Sequence, residues 1–180
     1  VDYIRREVSI NARCFTDSAP ILERYWAWKA GLGWIGKNTH LIIPDKGSYF
    51  FLGEIVTDLI LIPDRPMESM CGKCTRCMEA CPTSAIEAPR TLNAGKCISY
   101  LTIENRNEIP EKLAPLIGNR IYGCDTCQQV CPWNRFAIPT TEESFKMKKE
   151  LAEMTADKWY ALSREQYTRI FKGSAVKRAK

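Results

Sequence analysis

The sequence predicts an α+β fold, and three observations carry it. A helical pattern over residues 17–30 leads into short apolar runs of strand type at 39–62. After residue 141 the pattern is helical again, set apart from the strands rather than alternating with them. Between the two lie eight cysteines, within residues 71–131, spaced as metal ligands are. The chain is therefore divided at 1–65, 66–140 and 141–180, with Pro63-Asp64-Arg65-Pro66 as the first break.

Residues 1–16 are short and mixed and give no clear pattern. Cys14, the ninth cysteine, stands far from the others and reads as a small buried residue. Asp17-Ser18-Ala19-Pro20 has the composition of a helix start, with Asp17 or Ser18 as N-cap and the proline in the first turn. That helix is expected to run to Ala30 and stop at Gly31, with Ile21, Leu22, Tyr25, Trp26 and Trp28 as a broad apolar surface.

Gly31-Leu-Gly33-Trp-Ile-Gly36-Lys37-Asn38 imitates two nucleotide-binding loops. It fits Gly-x-Gly-x-x-Gly, but a helix precedes it and Thr39 to Ile43 reads as a strand, the reverse of what that fingerprint needs. It nearly fits Gly-x4-Gly-Lys-Ser/Thr, but Asn38 stands where the metal-binding hydroxyl belongs. Both readings fail, although the glycines still permit a close backbone approach. His40, the only histidine, reads as structural in this strand.

Pro44 to Ser48 is a turn, and Tyr49–Thr57 and Leu59–Ile62 are strand-like. In the cysteine region, Thr83–Ile86 suggests a short helical turn, 88–96 a loop, and Cys97–Glu104 and Glu111–Ile121 helices. Residues 133–141 are extended, and 142–153 and 157–172 read as helices, the second capped by Thr155 or Asp157.

Composition sets the outer bounds. Of 180 residues, 45 % are hydrophobic, enough for a sizeable core. No apolar run approaches the roughly 20 residues of a membrane span, and no signal-peptide or lipidation pattern is present. With reduced, metal-bound cysteines this points to the cytoplasm and away from membranes. The chain starts at Val1, as a piece of a longer protein would. The net charge of +5 is uneven: residues 146–180 hold ten Lys or Arg against four Asp or Glu, leaving the remainder near −1. Such a tail suits either a solvated helical face or a polyanion such as nucleic acid.

The cysteines carry the chemistry. Cys71-Gly-Lys-Cys74-Thr-Arg-Cys77-Met-Glu-Ala-Cys81-Pro82 is Cys-x2-Cys-x2-Cys-x3-Cys-Pro, the run that binds 4Fe–4S clusters. In that run three cysteines hold one cluster and the fourth serves a second. Cys97 and Cys124-Asp-Thr-Cys127-Gln-Gln-Val-Cys131-Pro132 bring the total to eight, which two clusters use completely. A disulfide framework lacks its secreted context, and a chance cluster of buried thiols lacks the regular spacing. Two four-cysteine zinc sites are the serious rival, because Cys-x2-Cys pairs also bind zinc; the Cys-Pro endings favour iron and sulfur.

With these residues in view, the sequence resembles the epoxyqueuosine reductases over nearly its whole length. The resemblance rests on Asp17–Pro20, Gly31–Asn38, Gly47-Ser-Tyr-Phe-Phe-Leu-Gly-Glu54, Cys71–Pro82, Cys97-Ile-Ser-Tyr-Leu-Thr-Ile-Glu104, Cys124 to Asn134, and Phe171-Lys-Gly-Ser-Ala-Val-Lys-Arg178. It implies part of a cobalamin-binding α/β domain, then a two-cluster ferredoxin-like domain, then basic helices. It implies an oxidoreductase that reduces epoxyqueuosine at the tRNA wobble position to queuosine. Its cofactors would be two 4Fe–4S clusters and cobalamin. Its partners would be the tRNA and an unidentified electron donor, and the chain would act as a monomer. One cluster would take Cys71, Cys74, Cys77 and Cys131, the other Cys81, Cys97, Cys124 and Cys127. Asp17 would be the proton donor beside cobalamin, with Lys37, Asn38, Ser99 and Asp125 as further cofactor contacts. Family members extend beyond these residues on both sides, so the chain is expected to be a fragment. A cobalamin-dependent reductive dehalogenase and a ferredoxin-type carrier with no active site are the alternatives.

Overall fold

The computed structural model describes residues 1–178; the last two residues of the basic segment lie outside the described residues. The chain is compact in two units. The first comprises Val1–Asn93 and Thr126–Ala137, and the second Ala94–Asp125 and the segment from Ile138 onward. The motif boundaries at 65 and 140 fall inside these units rather than between them.

The first unit opens with helix α1 (Asp2–Glu7) and strand β1 (Ala12–Phe15). Helix α2 (Glu23–Lys29) starts after Leu22, which offers no side-chain cap, so neither Asp17 nor Ser18 caps it. Asp17 lies instead in a bend with φ 49°. The C-terminus of α2 is as read: Gly31 takes φ 68°, and its N–H donates to the Trp28 carbonyl at 3.0 Å.

β2 (Trp34–Ile35) and β3 (Leu41–Ile42) form an antiparallel pair, much shorter than the strand expected at 39–43. The glycines of this stretch serve that hairpin. A Cβ on Gly33 would collide with the Ile42 carbonyl, and one on Gly36 would come within 2.6 Å of the Ile42 side chain. β4 (Glu54–Thr57) pairs antiparallel with β1, Phe15 opposite Glu54 and Ala12 opposite Thr57. Leu59–Ile62, expected as strand, is irregular, with Ile60 and Ile62 almost fully exposed. Cys14 sits on β1 opposite Ile55 and is exposed, against the expectation of burial. Helix α3 (Arg76–Glu79) follows, and then the small pair β5 (Ile86–Ala88) and β6 (Thr91–Leu92). Residues 83–85 are therefore a turn into a strand, not a helix. The core of this unit holds Ala27, Trp34, Leu41, Ile42, Ala85 and Ile86.

The second unit starts with a 3-10 turn (Ala94–Lys96), helix α4 (Ile98–Ile103) and helix α5 (Ala114–Ile117). The chain returns to the first unit for α6 (Thr126–Gln129) and a 3-10 turn at Pro132–Phe136. It then closes with α7 (Lys149–Ala152), α8 (Ala156–Tyr160) and α9 (Arg164–Ile170). Thr155 caps α8, accepting from the Lys158 N–H at 3.4 Å. The single helix expected over 157–172 is broken because Ser163 and Gln166 form a capping box that starts α9. Phe171, 1 % exposed, anchors this end with Trp159 stacked at 5.8 Å and Tyr167 at 4.9 Å.

The α+β class predicted from the sequence is what the structure has. Among the described residues no helix is long and apolar enough to cross a membrane.

Candidate metal centre

Two short loops of the first unit, each ending in Cys-Pro, build the candidate site. In the first, Gly72 takes φ 52°, turning the chain so that the Cys74 N–H donates to the Cys71 carbonyl at 3.2 Å. Cys77 then lies on α3, a helix of a single turn. In the second, Cys127 lies on α6, the Cys131 N–H donates to Gln128 at 3.0 Å, and Pro132 begins the 3-10 turn without needing a donor.

Cys71, Cys74, Cys77 and Cys131 line one cavity of about 40 Å³. Ile42, Pro132 and Trp133 give it apolar wall, and Lys37 and Arg76 bring cationic side chains to it. Trp133 is held edge-on by Trp34, ring centres 4.8 Å apart.

Electrostatics report the same gathering. Burial pushes the Cys77 thiol up, and the charges of Cys131 and Cys71, then Cys74, push it further. Burial also raises Cys131, with Cys71 and Cys74 adding to the effect. Thiolates crowded in this way repel one another, and bound iron would relieve the repulsion by ionising them outright. The donor set therefore fits a four-thiolate cluster. Among the described residues no three Cys, His, Asp or Glu groups converge as one ion requires. The four cysteines surround a space instead.

Of the other four cysteines, Cys81 and Cys127 belong to the first unit and Cys97 and Cys124 to the second. Cys81 is acidified: burial opposes ionisation, but the Ala85 N–H at 3.2 Å, the Thr83 hydroxyl at 3.7 Å and the backbone N–H groups of Thr83 and Ile86 together outweigh it. Hydrogen bonds to sulfur are also among the features that tune cluster potentials.

The remaining sequence-derived site residues are spread out. Lys37 and Asn38 face the cysteine loops: Lys37 Nζ donates to the carbonyls of Gly72 and Cys74, and Asn38 Nδ2 to that of Cys127. Asp17 is exposed in its bend. Ser99, on α4, is half-buried, and Asp125 is exposed, both in the second unit. Cys14 lies on β1, outside the cavity lining.

Asn134 was not singled out as a site residue. Its Oδ1 accepts from the Ser48 N–H at 2.6 Å, and its Nδ2 donates to the Gln128 carbonyl at 2.7 Å. It thus fastens the loop carrying Cys131 to the turn at Gly47-Ser48, where a Cβ on Gly47 would collide with it. The signal lay in two separate stretches, 47–54 and 124–134, which no local rule joins. Glu54 was missed likewise. Its Oε2 is buried without a hydrogen-bond partner, and burial, then the Glu23 charge, raises its pKa.

Comparison with known proteins adds an independent line. Residues 70–134 match a family described as a 4Fe–4S double cluster binding domain. The chain is 53 % identical over 171 residues to the epoxyqueuosine reductase of Escherichia coli K12, covering 95 % of this chain and 45 % of that protein. A crystal structure of an epoxyqueuosine reductase with an epoxyqueuosine-modified tyrosine tRNA stem loop is 34 % identical with TM-score 0.87, over 97 % of this chain and 48 % of that one. The Bacillus subtilis enzyme, solved with its catalytic aspartate loop swung out of the active site, is 36 % identical with TM-score 0.86, over 94 % and 45 %. The chain thus spans about half the length of the relatives it matches.

Proposed function

Since this chain belongs by sequence and fold to the epoxyqueuosine reductase family, we propose that it is the cluster-bearing part of an enzyme that reduces epoxyqueuosine in tRNA to queuosine. The observation that supports this most is the cavity lined by Cys71, Cys74, Cys77 and Cys131. In the reaction the epoxide oxygen leaves as water, two electrons and two protons are consumed, and a carbon–carbon double bond forms. When bound, the clusters and cobalamin supply the electrons, passed on from an external donor.

The chain's own residues have three tasks. The first is to hold the clusters: Cys71, Cys74, Cys77 and Cys131 hold one, and Cys81, Cys97, Cys124 and Cys127 the other, within residues 66–140. The second is to deliver a proton to the leaving oxygen, which we give to Asp17. Its exposed bend at φ 49° suits an acid on a movable loop, as the swung-out loop of the Bacillus subtilis enzyme does. Ser99 and Asp125 are proposed as further cobalamin contacts. Lys37 and Asn38, proposed as cobalamin contacts as well, also meet carbonyls of the cysteine loops through their polar ends. The third task is to bind tRNA phosphates through the basic segment 141–180. A cytoplasmic monomer is the matching setting.

The reading is tested with a protein of full family length carrying these residues. Given a strong reductant and epoxyqueuosine-modified tRNA, it should form queuosine, read by mass spectrometry of the nucleosides. A protein that holds both clusters and cobalamin but leaves the epoxide intact would contradict the substrate. Replacing Lys172 and Lys177 by Ala should weaken tRNA binding and flatten its dependence on log salt by about 0.7–0.9 for each phosphate no longer neutralised. An unchanged slope would make the tail a solvated face.

A further inference from the structure

The stretch that imitates a phosphate loop performs another task. Lys37 Nζ donates to the Gly72 carbonyl at 2.8 Å and to the Cys74 carbonyl at 2.9 Å. The Lys37 carbonyl is itself fixed by the Arg90 N–H at 3.0 Å. Next to it, Asn38 is 2 % exposed and donates to the Cys127 carbonyl at 3.2 Å. Lys37 and Asn38 line the same cavity as Cys71, Cys74, Cys77 and Cys131. One dipeptide on the β2–β3 hairpin therefore grips both cysteine loops.

We propose that Lys37 is a positioning residue that sets the reduction potential of the cluster held by Cys71, Cys74, Cys77 and Cys131. This rests on the reading of that cavity as a cluster site. Adding an electron to a thiolate-bound cluster adds one unit of negative charge. A nearby ammonium favours the reduced state and raises the potential, and local charge and solvent exposure are known levers on it. Here Lys37 is half-buried as a residue, so salt screens its charge less than that of a free surface lysine. Its two hydrogen bonds fix where the charge sits. Arg76 also reaches the cavity, but no hydrogen bond from its side chain to the cysteine loops is seen among the described residues. Asn38 gives a neutral grip on the other loop, so the charge of the pair resides on Lys37.

The test is anaerobic potentiometric titration of the full-length holoenzyme, followed by electron paramagnetic resonance, with iron counted first. Lys37→Met should keep its iron and lower the midpoint of one cluster at least tenfold in the one-electron constant, about 59 mV. The other cluster should stay put, and Lys37→Arg, which keeps the charge, should restore the first. If Lys37→Met loses iron, Lys37→Gln, which keeps a donor but no charge, is titrated in its place with the same expectation. Unmoved midpoints, or equal shifts in the Met and Arg variants, overturn the proposal. Iron lost from both the Met and Gln variants also overturns it, leaving a purely structural tie. A wild-type protein without clusters would instead sink the cavity reading beneath it.

Discussion

Asp17 stands five residues before Leu22, where α2 is capped without a side chain, so the helix does not need its carboxylate. Its backbone sits at φ 49°, a region that Asn and Asp tolerate better than other L-residues. Asp17→Asn should therefore keep the bend, both clusters and cobalamin in the full-length enzyme while losing most turnover, about a hundredfold or more for a missing general acid. Single-turnover formation of queuosine is the readout, and near-normal rates would move the proton donor elsewhere. At this scale the gathering of Cys71, Cys74, Cys77 and Cys131 was legible because cluster ligands obey a spacing rule written along the chain. The environment of Asp17 was not: Asp-Ser-Ala-Pro has the composition of a helix start, and only tertiary context decides whether a helix follows. Cys14 misled for a similar reason, since a small apolar side chain on a strand does not reveal which face is covered.

Helix ends with a local chemical signature were readable, and pairings between distant segments were not. Gly31 stops α2 and Thr155 starts α8, each by a rule that spans a few residues. The break before α9 carried such a signature too, Ser163 with Gln166 three residues on, overlooked inside a longer helical pattern. β1 was invisible because its partner β4 lies about forty residues away and neither strand alternates cleanly. The predicted strand at Leu59–Ile62 has apolar composition but no ladder partner among the described residues. The capping box offers a direct check of the element-level account. Ser163→Ala should destabilise the second unit by about 1 kcal/mol, and Ser163→Asn by much less, in urea unfolding followed by hydrogen exchange of the α9 amides. Equal losses from both variants would mean that the hydroxyl matters for something other than the cap.

Across the molecule, the segments that carry the proposed chemistry have little regular structure. α3 and α6 are single turns of four residues, and the strand pairs are two to four residues long. Such elements bury too little to order themselves. Metal binding then supplies folding energy, and the cluster count becomes the central claim. The most direct measurement is iron and acid-labile sulfide per chain after anaerobic reconstitution. Two clusters on eight cysteines predict about eight of each. Four of each, or stoichiometric zinc with no sulfide, would contradict the account.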